Sequence, residues 1–337
     1  MRSVELFAGG GGLALGTHLA GFSTELVAEW DARSCQTLRA NYAANDSKQA
    51  FTQVKVCEGD VRNIDWSGVA PGVDLVSGGP PCQPFSLGGK AMAAEDPRDM
   101  FPATAEVIRQ LQPRAFMIEN VRGLTRAAHT DLQYKVVTQL VNAADYGVPQ
   151  QRWRVFFVGF RCDVDAEWSF PLPTHSGAAL RAIQESGEYW DNYRVPKSQQ
   201  KIEVRNSGDQ QLLPWLTVRD ALVGLPEPTM ETSPLFFDHV LQPGARVYPG
   251  HTGSFIDSPA KALKAGVHGV PGGENMLRRV DGAVRYFSVR EAARLQTFPD
   301  DYRFSGPWSE AMRKLGNAVP VRLAQIVAGS IGRALMD

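Results

Sequence analysis

The amino terminus limits the possible fold more than any other stretch. Residues 4–8 form a short apolar run, residues 9–12 are four consecutive glycines, and Leu13, Leu15, Leu19 and Ala20 then recur at helical spacing. This order reads as strand, glycine turn and helix. It continues along the chain, with strands expected at 24–29, 54–57, 73–76 and 115–118 and helices at 32–42 and 103–111. Such alternation predicts an α/β fold, a doubly wound and mainly parallel sheet with helices on both faces. Two further β-rich runs, 134–140 and 154–160, flank Tyr146, Gly147, Val148 and Pro149 and are expected to close the sheet as a hairpin.

After Pro171 the pattern changes. Residues 173–281 are rich in Gly, Pro and polar side chains, with short apolar runs and no clear period, which predicts a second domain of irregular loops and short strands. Order returns in a helix at 289–295, broken by Phe298, Pro299, Asp300 and Asp301, and in an apolar-periodic helix at 321–335 that is expected to pack back on the first domain. The expected division is therefore 1–172 completed by 307–337, an inserted smaller domain at 173–287, and a connecting block at 288–306.

With 337 residues and 43% hydrophobic content, the chain can bury a sizeable core. Cys35, Cys57, Cys82 and Cys162 form no CxxC pair and no Cys/His cluster, so neither a disulfide framework nor a metal site is indicated, and a reducing cytoplasmic compartment is expected. The amino terminus lacks the long apolar stretch of a signal peptide or membrane span, so no membrane partner is expected. A formal net charge of −1 gives no global sign of nucleic-acid binding, although a balanced total can hide a local basic groove.

Cys82 differs from the other cysteines in its context. The run at 73–76 ends in Ser77, Gly78 and Gly79, and Pro80 and Pro81 then stiffen the approach to the thiol. A cysteine just past a strand's carboxyl end stands where ligands bind in open α/β sheets, although a tight surface turn beside an inert thiol is the plainer reading. Gly9, Gly11 and Ala14 fit a loose GxGxxA nucleotide pattern, and Glu29 ends the next strand as an acid suited to ribose hydroxyls. Both a nicotinamide dinucleotide and S-adenosylmethionine carry such a ribose. Asp60, between Gly59 and Val61, is placed either to accept from an adenine amine or to cap a local turn. Glu119, with Asn120 and Val121, puts a carboxylate at the same sheet edge as Cys82, and the six histidines show no motif context that would make a thiol protease. Gln150, Arg152 and Arg154 alternate, so on a strand they share one face, as an anion site or as an ordinary solvated face.

Together these residues resemble the cytosine-C5 DNA methyltransferase family of the prokaryotic restriction-modification type. Six blocks occur in the family's order: Phe7-Ala-Gly-x-Gly-Gly12, Gly79-Pro-Pro-Cys-Gln-Pro-Phe-Ser86, Glu119-Asn-Val121, Gln150-x-Arg-x-Arg154, Arg290-x-x-Ala-Arg-Leu-Gln-x-Phe-Pro299 and Gly316-Asn-Ala-Val-Pro320. The resemblance implies a Rossmann-like S-adenosylmethionine-dependent methyltransferase fold and transfer of a methyl group to carbon 5 of a flipped-out cytosine in a specific duplex sequence. It implies that Cys82 attacks C6, that Glu119 protonates or hydrogen-bonds N3, that Arg154 contacts the base and that Arg152 contacts a phosphate or loop. It implies cofactor contacts from Phe7, Gly9, Gly11, Gly12, Glu29, Trp30, Asp60, Val61, Pro81 and Asn317, with Trp30 stacking near the adenine, and residues 86–100 closing over the extruded base.

On the same resemblance, 173–287 is the target-recognition domain and 1–172 with 307–337 the catalytic one. The partners implied are double-stranded DNA and a restriction endonuclease sharing the target site without a stable complex, with the chain a monomer in the nucleoid. Residues 122–134 are short where the family carries a fuller helix. A tRNA cytosine-C5 methyltransferase and a catalytically silent DNA-binding homologue remain alternatives at this point.

Overall fold

The computed structural model describes residues 1–42, 54–69, 71–81, 99–121, 132–231, 235–249, 251–265 and 273–336. The chain divides into two compact units. The first comprises Met1–Val141, Trp153–Pro171 and Leu323–Asp337; the second comprises Asn142–Arg152 and Leu172–Arg322. The change of pattern after Pro171 thus coincides with a change of unit, whereas residues 142–152 and 307–322, expected in the first domain, group with the second.

The first unit is built on β1 (Arg2–Leu6), α1 (Gly12–Leu19), β2 (Ser23–Glu29), α2 (Ala32–Tyr42), β3 (Lys55–Glu58), β4 (Leu75–Gly78), α3 (Phe101–Leu111), β5 (Ala115–Val121) and β6 (Tyr134–Asn142). After the short β7 (Gln150–Gln151) comes β8 (Trp153–Arg161). Seven strands form one sheet in the order β3-β2-β1-β4-β5-β8-β6. The β1–β2, β2–β3, β1–β4 and β4–β5 pairs are parallel, and β8 runs antiparallel to β5. Strand order reverses between β1 and β4, and the carboxyl ends flanking such a switch point are where ligands bind in doubly wound sheets. Here those two ends lead into the glycine turn and into Gly79, Pro80 and Pro81.

Near-continuous apolar runs form the central strands because both faces are covered. Val4, Leu6, Val27, Leu75, Val76, Phe116 and Met117 are fully buried, each such side chain contributing about 1.5–3 kcal/mol of burial. Helix α2 starts where the Asp31 side chain accepts from the Ser34 amide, and the expected bounds of this helix match those observed. The expected hairpin is present: β6 and β8 are neighbours, with an amide of Cys162 bonded to Gln133 O at one end and that of Ala143 to Arg152 O at the other.

The second unit holds more helix than its composition predicts. It contains β9 (His175–Ser176), α4 (Gly177–Ser186), α5 (Glu188–Asn192), β10 (Leu213–Pro214), α6 (Val218–Leu222), β11 (Ser254–Phe255), β12 (Ala260–Lys261), β13 (Met276–Arg278), β14 (Val284–Tyr286), α7 (Val289–Leu295) and α8 (Trp308–Asn317). The final helix, α9 (Val321–Ala334), begins in this unit and continues in the first. Caps initiate the helices: Ser176 accepts from Ala179, while Thr217 with Asp220, and Ser288 with Glu291, form reciprocal capping boxes. At its centre Asp257 is fully buried, held by Arg219 through both carboxylate oxygens (2.6 and 3.1 Å) and by the Tyr189 hydroxyl (3.0 Å). No helix among the described residues is long and apolar enough to cross a membrane.

Candidate active site

The strand-to-helix turn after β1 is tightly contorted. Phe7, Gly9 and Gly11 all have left-handed backbones (φ 56°, 54° and 87°), an unusual state for phenylalanine that is typical of functional turns. Gly11 caps α1 with no side-chain hydrogen bond of its own, and in the first turn the Ala14 amide is met by the Glu5 carboxyl. Glu29, buried at the end of β2, accepts from the Gly9 amide (2.7 Å) and from the Asp31 amide (2.8 Å), which locks the turn to the acid. Burial pushes its carboxyl above the ordinary carboxylate range, opposed by those amides.

Trp30, next in the chain, is 76% exposed, so it is not a core residue and its indole faces solvent. Asp60 caps a short 3-10 turn through the Arg62 amide (2.9 Å) and binds the same residue's guanidinium. The Arg62 guanidinium, followed by burial and the Arg62 amide, sets the balance and holds the Asp60 carboxyl below its usual range. Val61 is buried in the core, and Pro81 is exposed.

The carboxylate expected beside the thiol lies inside a strand, not beyond its end. β5 continues through Val121, and Glu119 stands opposite Phe156 of β8. Arg154, opposite Val121, therefore projects from the same face two residues away, and its Nε meets Glu119 Oε1 at 2.8 Å with both side chains largely buried. A Cβ on Gly79 would come within 3.4 Å of Glu119 Oε2, so this glycine lets the turn pass close to the acid. Asn120 donates from Nδ2 to Pro80 O at 2.9 Å while its Oδ1 accepts from the Val121 amide. Residues 79–81 are thereby tied to β5 next to the Glu119–Arg154 pair. Cys82 itself and residues 83–98 lie outside the described residues, as does most of the segment 122–134.

Of the two contacts expected for Arg152, a phosphate or a loop, the structure shows a loop contact. Arg152 is fully buried and donates to Leu263 O (3.2 Å) and Gly316 O (2.8 Å), so its guanidinium is consumed by backbone carbonyls within the second unit and is not offered to a phosphate. The strand breaks at this residue, which is why two arginines two positions apart meet different partners. Gln150 likewise turns inward, donating to Leu295 O and Gln296 Oε1 and accepting from the Leu263 amide. The block 290–299 is a set of internal ties. Arg290 donates to Phe237 O, Pro299 O and Tyr302 O, and Arg294 binds Asp300. Gly316 is required by close approach, since a Cβ there would lie 2.3 Å from the Ala265 amide nitrogen. Asn317, expected at the cofactor, is exposed at the end of α8 in the second unit.

Two residues of the first unit gain importance only in three dimensions. Asn120 braces the proline turn. Glu5 is a fully enclosed carboxyl on β1 that accepts from Ser77 Oγ at 3.2 Å. A glutamate inside an apolar run, Ser3-Val-Glu-Leu-Phe7, was the available signal for Glu5.

Comparison with known proteins agrees with this architecture. Residues 1–333 match the profile of the C-5 cytosine-specific DNA methylase family, and the chain belongs to that family. It is 33% identical over 356 residues to the Type II methyltransferase M.PspPI of Psychrobacter sp. (strain TA137), covering 98% of this chain and 79% of that protein. It is 33% identical over 354 residues to the Type II methyltransferase M.Eco47II of Escherichia coli, covering 97% of this chain and 78% of that protein. The solved Dnmt2 methyltransferase of S. pombe shares the fold, with a TM-score of 0.61 at 18% identity over 100% of this chain and 98% of that one. The chain is thus a DNA (cytosine-5)-methyltransferase by family.

Proposed function

We propose that the protein transfers a methyl group from S-adenosylmethionine to carbon 5 of a cytosine extruded from a specific duplex DNA sequence, as a Type II modification enzyme. The observation that carries this reading is the buried Glu119–Arg154 pair at 2.8 Å, packed against Gly79 and beside the proline turn that leads into Cys82. The names of the relatives support the Type II setting, with a restriction endonuclease of the same target as the functional partner.

The residues present suit an S-adenosyl cofactor. The left-handed turn at Phe7, Gly9 and Gly11, with Gly12 at the start of α1, would hold the methionine portion; Glu29 would accept from ribose hydroxyls; the exposed Trp30 would stack on the adenine; Asp60, Val61 and Pro81 would line its edge, with Asn317 the remaining contact expected from the family pattern. When bound, this cofactor supplies an electrophilic methyl group.

The chain's own residues make C5 a nucleophile. The Cys82 thiolate forms a bond to C6, and Glu119 hydrogen-bonds or protonates N3, which draws charge off the ring and lets density collect at C5. Arg154 fixes the Glu119 carboxyl for this contact and lines the base edge. Transfer of the C5 proton to solvent water, return of any N3 proton to Glu119 and breaking of the C6–S bond with its electron pair leaving on Cys82 then restore the aromatic ring. A base inside a duplex cannot be reached, so the reaction requires extrusion at a cost of a few kcal/mol. Target recognition is assigned to the second unit.

Bisulfite sequencing of DNA from cells expressing the chain, beside a Cys82→Ser control, tests the reading. Methylated cytosines in one sequence context, lost in the control, are expected. No methylation, or an unchanged pattern in the control, overturns it, and methylation of tRNA but not of duplex DNA replaces it with an RNA substrate.

A further inference from the structure

Two carboxyls lie on one face of the sheet under the glycine turn, and neither has a cation among the described residues. Glu5 stands opposite Ser77 in the β1–β4 register and opposite Val27 in the β1–β2 register. Glu29 is two residues beyond Val27 and so projects from the same face. They are 2% and 6% exposed. Their described donors are neutral: Ser77 Oγ and the Ala14 amide for Glu5, and the Gly9, Asp31 and Trp30 amides for Glu29. The other charged groups of the surrounding elements are engaged elsewhere or lie apart. Glu25 of β2 pairs with Arg2, Asp74 before β4 pairs with Arg114, Asp31 caps α2, and His18 lies in the last turn of α1.

We propose that Glu5 is the proton-carrying residue of the cofactor site, holding a proton while no cation is present and releasing it when a cationic S-adenosyl compound binds. This rests on the cofactor assignment made above. Two unhydrated carboxylates on one face repel each other, and burial penalises both, so one of them takes up a proton. Glu29 keeps three amide donors, of Asp31, Gly9 and Trp30, that favour its anion. Glu5 is the more enclosed of the two, and burial pushes its carboxyl up to about 8, against Ser77 and the Ala14 amide. The positive sulfonium of the cofactor removes the penalty. The O–H bond of the Glu5 carboxyl then breaks, the proton passes to buffer, and the carboxylate remains, with no change in oxidation state. Below about 8 Glu5 is protonated before binding, so affinity for the cationic cofactor rises with pH through neutrality and levels off above that value.

Titration calorimetry of the full chain with S-adenosylmethionine at neutral pH, in phosphate and in Tris, reads the released protons from the difference in buffer ionisation heat. S-adenosylhomocysteine, which lacks the sulfonium charge, is the control ligand. The expected result is release approaching about one proton per S-adenosylmethionine bound, a smaller release with S-adenosylhomocysteine, and none with either in Glu5→Gln. Ser77→Ala removes a donor that favours the anion, and should move the release profile to higher pH even if Glu5→Gln does not fold. Binding without proton release in the wild type, equal release with the two compounds, undiminished release in Glu5→Gln, or an unmoved profile in Ser77→Ala overturns the proposal. Failure of the wild type to bind either compound removes the cofactor assignment itself, and is read directly from the absence of binding heat.

Discussion

Buried carboxylates are treated in opposite ways in the two units. Asp257 in the second unit is fully enclosed and fully compensated, with a two-point guanidinium from Arg219 and a phenol from Tyr189. Glu5 and Glu29 in the first unit are nearly as enclosed but are met only by amides and a hydroxyl among the described residues. A compensated buried charge serves the fold, because losing either partner strands the other. An uncompensated pair is costly to the fold and persists where a ligand is to supply the missing charge. Glu119 lies between these cases, paired with Arg154 yet packed beside the turn to the thiol.

The largest expected effect separates activity from stability. Glu119→Gln should lower the methylation rate about 10²–10⁴-fold with little change in melting temperature, measured by tritiated methyl transfer to duplex DNA and by calorimetry. A parallel loss of stability would move Glu119 into the compensated class with Asp257. In the second unit, Asp257→Ala strands a partly buried Arg219 and should cost about 3–5 kcal/mol of stability in urea unfolding. A loss well under ~1 kcal/mol would show that the network carries no such weight.

Glu5→Gln sharpens the contrast through pH. The wild-type carboxyl is neutral in the folded chain below about 8 and ionised in the unfolded chain above about 4.5, so folding takes up a proton between these values. Stability should therefore fall as pH rises through that window, by about 2 kcal/mol once relaxation of the buried site is allowed for, and the glutamine variant should not show this slope. Melting curves across pH 5 to 8.5 check it, and parallel slopes in the two proteins would remove Glu5 from the uncompensated class. The smallest effect is at the rim of the same site. Trp30→Ala should weaken S-adenosylhomocysteine binding by about 1 kcal/mol, roughly fivefold, without changing stability, because the ring is exposed.

Much of the first unit was legible in the sequence, and its limits are instructive. Helix α2 and the paired runs at β6 and β8 follow from periodicity alone. β5 was expected to stop at Ile118 because Glu119 and Asn120 are polar, yet the strand runs to Val121. Its polar residues are satisfied by Arg154 and by Pro80 O, partners distant in the chain. In the second unit α7 was expected with its observed bounds, whereas α4, α5 and α6 were missed because they start at local caps within a Gly- and Pro-rich stretch, where no long apolar stripe announces them.

Composition and periodicity, by themselves, determined that this chain forms a doubly wound α/β sheet with a second unit, and the ordered motif blocks determined its family. These follow from local preferences and residue order, which act along the chain. Only the tertiary structure decided that Arg154 pairs with Glu119 while Arg152 is buried against the carbonyls of Leu263 and Gly316. It also decided that Glu5 and Glu29 share one face with no cation among the described residues. Charge compensation acts through space over a few ångströms, and the partners that supply or withhold it are brought together only by the packed sheet.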